Sequence, residues 1–229
     1  MKPLHVVIVA ALVAAIVACL VPQVAQTEKS NHTEPIRSRR TATLPSKEVK
    51  ADREAADRKE EWAKPLNKPG LPNLHKVSDD LYRGAQPTAQ GMKQLKQMGV
   101  KTVINLRSFH SDRDKIGETG LAYEHMYVKA WHPEDKEVVR FLQIVTDPDR
   151  IPAFVHCQHG ADRTGTMCAI YRIVVEDWSR EEAIEEMIEG GFGYHKIHAN
   201  LPKYIRRLDL DDIVKRAGIT ERLRKEHQK

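Results

Sequence analysis

Two rhythms of apolar residues alternate along the chain from Leu71 onward. Short, nearly continuous apolar runs in "VKTVINLR", "LAYEHMYV" and "IPAFVHC" predict buried strands, the last entered through Pro152. Between them apolar positions fall three and four apart. Met92, Leu95 and Met98 do so in "TAQGMKQLKQMG", which stops at Gly99; Val138, Val139, Leu142 and Val145 do so in "EDKEVVRFLQIVTD". "TGTMCAIYRIVVEDW" is largely apolar and long enough for a core helix. "SREEAIEEMIEGG" opens on Ser179, carries acidic residues in its first turn and ends on two glycines, as a capped helix does. The tail "NLPKYIRRLDLDDIVKRAG" predicts one or two further short helices, and "LHKVSDDLYRGAQP" a short hairpin about a turn at Ser78, Asp79 and Asp80. Strands alternating with helices predict an α/β domain with a central, mainly parallel sheet flanked by helices.

Upstream of Leu71 the rhythm is lost. Lys2 and His5 precede an apolar run over positions 6–21, and polar residues follow from Gln23. Charged start, apolar centre and polar exit are the pattern of a secretory signal or a short signal-anchor helix, at the lower edge of bilayer-spanning length. Gln23 stands where a cleavage site after Ala25 would want a small residue, and "IVAC" at 16–19 resembles a lipoprotein box with Cys19 as the lipidated residue. Export with membrane attachment is therefore expected. Residues 27–70 are polar, mixed in charge and punctuated by Pro35, Pro45, Pro65 and Pro69; such a stretch buries too little apolar surface to offset its ordering entropy. The chain divides on this reading into a signal or anchor at 1–26, a linker at 27–70 and a folded domain at 71–229.

At 229 residues there is room for one ordinary domain plus these extensions. A composition of 41% hydrophobic and 30% charged residues suits a soluble core under a charged surface. The net charge of +5 fits anionic ligands or a membrane surface and gives no reason to expect a nucleic-acid partner. Cys19, Cys157 and Cys168 are too few for a disulfide framework. His156, Cys157 and His159 crowd within four positions, too close for paired zinc ligands, so no metal is expected.

The chemistry concentrates in "VHCQHGADRTG", residues 155–165. It reads as a strand, a loop and the start of a helix, and ligands of open α/β sheets bind beyond the carboxyl ends of strands, where Cys157 falls. A loop from Cys157 to Arg163 is long enough to turn its backbone N–H groups toward one tetrahedral anion, and Gly160 allows the torsions this needs. The following helix adds the positive end of its dipole, and Arg163 a planar fork for two phosphate oxygens. The same surroundings favour the thiolate of Cys157. A thiolate at the centre of an anion cradle is a nucleophile for phosphorus.

"HCQHGADRTG" resembles the His-Cys-x5-Arg-Thr/Ser signature of the cysteine-dependent phosphatases, the superfamily of tyrosine and dual-specificity phosphatases. "LYRGAQPTAQGMKQLKQMGVKTVINLR" is similar to the N-terminal part of its compact dual-specificity-like members, and the likeness spans about residues 71–207. The resemblance implies a dual-specificity-phosphatase-like fold and a two-step hydrolysis of phosphate monoesters without metal or organic cofactor. Cys157 would attack phosphorus, residues Gln158, His159, Gly160, Ala161, Asp162 and Arg163 would hold the phosphate, Thr164 would donate to the departing sulfur, and His156 would orient the loop. The substrate would be a phosphorylated protein or small phosphorylated molecule.

The proton for the leaving oxygen stays open between residues. "AWHPEDKE" resembles the family's Trp-Pro-Asp loop with residues inserted, which puts Asp135 first; Asp162, in a "GADR" similar to that of phosphatases acting on phosphoinositides, is second, and Glu134 third. Ala161 stands where several phosphoinositide-active members carry lysine. Arg83, Gln86 and Arg107 are candidates to line the pocket, while His195 and His198 read as surface or packing histidines. Alternative readings are an inositol-phosphate or phosphoinositide phosphatase, a rhodanese-like or arsenate-reducing thiol enzyme, and a non-catalytic phosphate-binding module.

Overall fold

A computed structural model describes residues 58–220. Its sheet has six strands: β1 (Lys64–Pro65), β2 (His75–Lys76), β3 (Leu81–Gly84), β4 (Thr102–Asn105), β5 (Ala122–His125) and β6 (Ala153–His156). They lie in the order β1-β2-β3-β6-β4-β5. Four neighbours, β3, β6, β4 and β5, are parallel; β1 and β2 add an antiparallel edge onto β3. The sheet is thus mixed; the expected hairpin about Ser78–Asp80 joins β2 to β3, and β1 extends the antiparallel part beyond it.

Among the described residues the sheet is connected and covered by α1 (Ala89–Gln97), α2 (Arg113–Ile116), α3 (Asp135–Val145), α4 (Asp162–Val175), α5 (Arg180–Glu189), α6 (Asn200–Arg207) and α7 (Leu210–Ala217), with a 3-10 turn at Lys196–His198. Local chemistry starts several of them. The Thr88 hydroxyl accepts from the Gly91 N–H at the head of α1, and Ser179 forms a reciprocal capping box with Glu182 at α5. Successive residues of the central strands alternate between two cores. Ile104 and Val155 face the cluster built by α3 to α7, whereas Val103 and Phe154 face Leu71, Leu74, Met92 and Leu95. Both faces of these strands are covered, as expected of parallel strands read as continuous apolar runs.

Helix α4 is buried almost all round, and its buried Arg172 is neutralised in place. Arg172 donates to Glu186 at 2.9 and 2.8 Å, pairs with Glu176, and lies over the Trp178 ring at 4.2 Å. Glu186 in turn accepts from the Ala63 N–H at 2.7 Å. Residues 58–70, read from the sequence as linker, therefore carry ordered structure: β1, buried Ala63, and Arg58 paired with Glu182 at 3.1 Å. The apolar run at 6–21 lies outside the described residues, among which no helix is long and apolar enough to cross a membrane.

Candidate active site

Strand β6 carries the chain into the site. His156 lies in register with Gly84 on one side and Asn105 on the other, so the loop beginning at Cys157 emerges at the carboxyl edge between two parallel neighbours. Cys157 is buried, 2% exposed. The next turn depends on Gly160, whose φ is +73°; a Cβ there would lie 2.5 Å from the Gly84 carbonyl.

The carbonyls of this loop are all engaged. His156 Nδ1 meets the Cys157 oxygen at 3.1 Å, the Gln86 N–H donates to Gln158, Asn73 Nδ2 donates to His159 at 2.9 Å, and Arg83 Nη2 donates to Gly160 at 2.8 Å. Four successive carbonyl oxygens are thus tied to the surrounding protein. The N–H groups of residues 158–161, by contrast, have no acceptor among the described residues. A peptide has one polar edge on each side, so fastening the oxygens outward leaves the donors for a ligand.

Two basic side chains frame the loop differently. Arg163, in the first turn of α4, donates to the carbonyls of Leu106 and Val128 at 3.1 and 3.4 Å, bridging the segments that follow β4 and β5. Arg83 is only 1% exposed, stacks on Phe192 at 3.6 Å and reaches the loop through Gly160. It supports the loop from behind and does not line its mouth. Gln86 and Arg107 also belong to a supporting network. Arg107 donates to Gln86 at 2.7 Å, Gln86 donates to Asp112, and Asp112 Oδ2 lies 3.0 Å from His156 Nε2. Burial would raise the Asp112 carboxyl, but the His156, Gln86 and Lys115 contacts outweigh it and hold the group below the usual carboxylate range.

Thr164 is fully buried and its hydroxyl has no hydrogen-bond partner among the described residues, while the neighbouring Thr166 hydroxyl is spent on the Asp162 carbonyl at 2.9 Å. Burying a hydroxyl without a partner is costly, and among the described residues Thr164 carries that cost. Farther along α4, Cys168 is core: burial pushes its thiol up to about 11.

The three carboxylates named for proton transfer sit in different settings. Asp135 is exposed at the first position of α3 and accepts from the Tyr204 hydroxyl at 2.8 Å. Glu134 caps that helix and pairs with Lys129 and Lys136, which lower its carboxyl. Asp162 is buried at the start of α4, and both its oxygens accept from one residue: the His195 N–H at 2.9 Å and His195 Nδ1 at 2.8 Å. Sequence reading set His195 aside as a surface or packing residue and did not single out Asp112 or Asn73. Their roles come from contacts made 33 to 86 positions away, which leave no local pattern.

Residues 70–199 match the family model described as "DSP-PTPase phosphatase fused to NAD+ Kinase". The chain is 36% identical over 162 residues to the dual specificity protein phosphatase TpbA of Pseudomonas aeruginosa, covering 69% of this chain and 72% of that protein. A crystal structure of P. aeruginosa TpbA in complex with phosphotyrosine superposes with a TM-score of 0.60 at 34% identity, over 67% of this chain and 93% of the other. The core catalytic domain of the PP-IP phosphatase SIW14 from S. cerevisiae, 20% identical, shares the fold with a TM-score of 0.60 over 68% and 96% of the two chains. The chain belongs to the cysteine-dependent phosphatases, in the dual-specificity branch that this family model describes.

Proposed function

We propose that the enzyme hydrolyses phosphotyrosine and related phosphomonoesters through a phosphocysteine on Cys157. The observation that carries this reading is the loop whose four carbonyls are fastened outward while the N–H groups of residues 158–161 stay unclaimed beside a buried cysteine. Three equatorial oxygens of a phosphoryl group would take those donors and the Arg163 guanidinium, which complement the charge that builds in the transition state. The Cys157 sulfur attacks phosphorus in line with the ester oxygen, that oxygen leaves with a proton, and water then takes the phosphoryl group and frees the thiolate. Thr164 donates to the sulfur as negative charge returns to it. His156 and Asp112 hold the root of the loop.

A likeness to TpbA, seen in complex with phosphotyrosine, supports an aryl phosphate in the pocket. The exposed rings of Phe109, Tyr127 and Trp131 come from the segments after β4 and β5, the same segments that Arg163 bridges, and offer apolar surface to a substrate side chain. Membrane attachment through positions 6–21 remains part of the proposal on sequence grounds alone. The test is turnover of phosphotyrosine by the purified chain and by Cys157→Ser. Activity abolished by the substitution and blocked by vanadate agrees with the reading; full turnover by Cys157→Ser refutes it.

A further inference from the structure

We propose that Arg83 is a positioning residue for the phosphoryl group: its buried charge, acting through the Gly160–Ala161 peptide, strengthens the Ala161 N–H as a donor. This rests on the phosphatase reading above. Arg83 is 1% exposed and donates from Nη2 to the Gly160 carbonyl at 2.8 Å. A trans peptide sets its carbonyl and its N–H on opposite edges. The Ala161 N–H therefore points away from Arg83, and it has no acceptor among the described residues. A carbonyl that accepts from a cation leaves the N–H of the same peptide more positive.

The other loop carbonyls are held without an unbalanced charge. The Gln158 oxygen accepts from the Gln86 N–H and the His159 oxygen from the Asn73 amide. The Cys157 oxygen meets His156, whose other ring nitrogen faces the Asp112 carboxylate at 3.0 Å. Arg83 has no such counter-ion: among the described residues no carboxylate lies within 4.0 Å of it. The buried carboxylates are engaged elsewhere, Asp112 with His156, Glu137 with the Glu134 N–H, Asp162 with His195 and Glu186 with Arg172. Arg83 Nε has no hydrogen-bond partner among the described residues, and the guanidinium lies over the Phe192 ring at 3.6 Å.

Its position adds to the cost. A Cβ on Gly165 would lie 3.6 Å from Arg83 Nη2, so the guanidinium sits against both the loop and the first turn of α4. A helix N-terminus carries positive charge of its own and disfavours a cation. A buried cation in that place, with no carboxylate beside it, is an expense to the fold. A phosphoryl dianion held by the loop relieves it, so the cost reappears as affinity for the anion.

Two substitutions on the intact chain separate charge from shape. Arg83→Lys keeps the charge and a donor; Arg83→Gln keeps a donor and loses the charge. With 4-nitrophenyl phosphate as substrate and vanadate as inhibitor, Arg83→Gln is expected to lose about tenfold in kcat and in vanadate affinity. Arg83→Lys should stay within a few-fold of the parent. Equal losses in the two variants would make the guanidinium a strut whose charge is irrelevant, and parent-like values in Arg83→Gln would leave it no part in anion binding. Either result overturns the proposal. If the thermal midpoint shows that Arg83→Gln does not fold, the parent decides by NMR on isotope-labelled protein. Added inorganic phosphate should move the Ala161 amide proton farther downfield than those of His159 and Gly160, and an equal or smaller shift overturns the proposal. Failure of the underlying reading looks different: turnover would survive Cys157→Ser.

Discussion

His156 Nε2 and Asp112 Oδ2 lie 3.0 Å apart with neither side chain exposed to solvent. The contact misses the alignment of a hydrogen bond, and neither atom has a hydrogen-bond partner among the described residues. Removing one member of a buried pair strands the other. Asp112→Ala is expected to cost about 3 kcal/mol of stability, read from the denaturant midpoint, and to slow turnover by loosening the residue before Cys157. The pH sign follows from the lowered Asp112 carboxyl. Its contribution is full above the ordinary carboxylate value near pH 4 and is lost as pH falls through the lower folded value. The Asp112→Ala protein should therefore differ most from the parent at neutral pH and converge with it in strong acid.

Gly160→Ala tests the loop geometry. The added Cβ would lie 2.5 Å from the Gly84 carbonyl and 2.7 Å from the Ala85 nitrogen, both backbone, at a φ of +73°. The loop must shift, and with it the donors of residues 158–161. Vanadate affinity and kcat should each fall by about a hundredfold or more, the cost of displacing a preformed oxyanion donor.

Thr164→Val removes the unpaired buried hydroxyl while keeping the side-chain shape. If that hydroxyl serves the departing sulfur, the second step slows by roughly tenfold, the worth of about one hydrogen bond to a charged group. Rapid-mixing traces with 4-nitrophenyl phosphate should then show a burst that the parent lacks.

Glu186→Gln separates stability from catalysis. The residue anchors Arg172 inside α4 and the N–H of Ala63, away from the anion loop. Breaking the pair should cost about 3 to 5 kcal/mol, seen as an earlier thermal midpoint, with kcat at low temperature unchanged.

Much of this was legible in the sequence, and the reason is locality. Cys157, Gly160 and Arg163 lie in one strand–loop–helix segment whose chemistry is written in consecutive residues, and Thr88 and Ser179 announce their helices within four positions. Strand β1 escaped notice because a two-residue edge strand containing Pro65 has no pattern of its own; its pairing is provided by β2. Helix α4 begins at Asp162, two positions earlier than its apolar pattern suggested, because the loop closes directly into its first turn. Asp112 and His195 were illegible for another reason. Each is an ordinary polar residue until the fold brings it against the loop, and no spacing rule encodes a contact between distant segments.

Acid-quenched mass spectrometry of the enzyme during turnover of phenyl phosphate tests the central claim most directly. The account predicts a phosphoryl group on Cys157, present in the parent, enriched in Thr164→Val and absent in Cys157→Ser. Steady turnover with Cys157 unmodified in every quenched sample, or with the phosphoryl group on another residue, would contradict it.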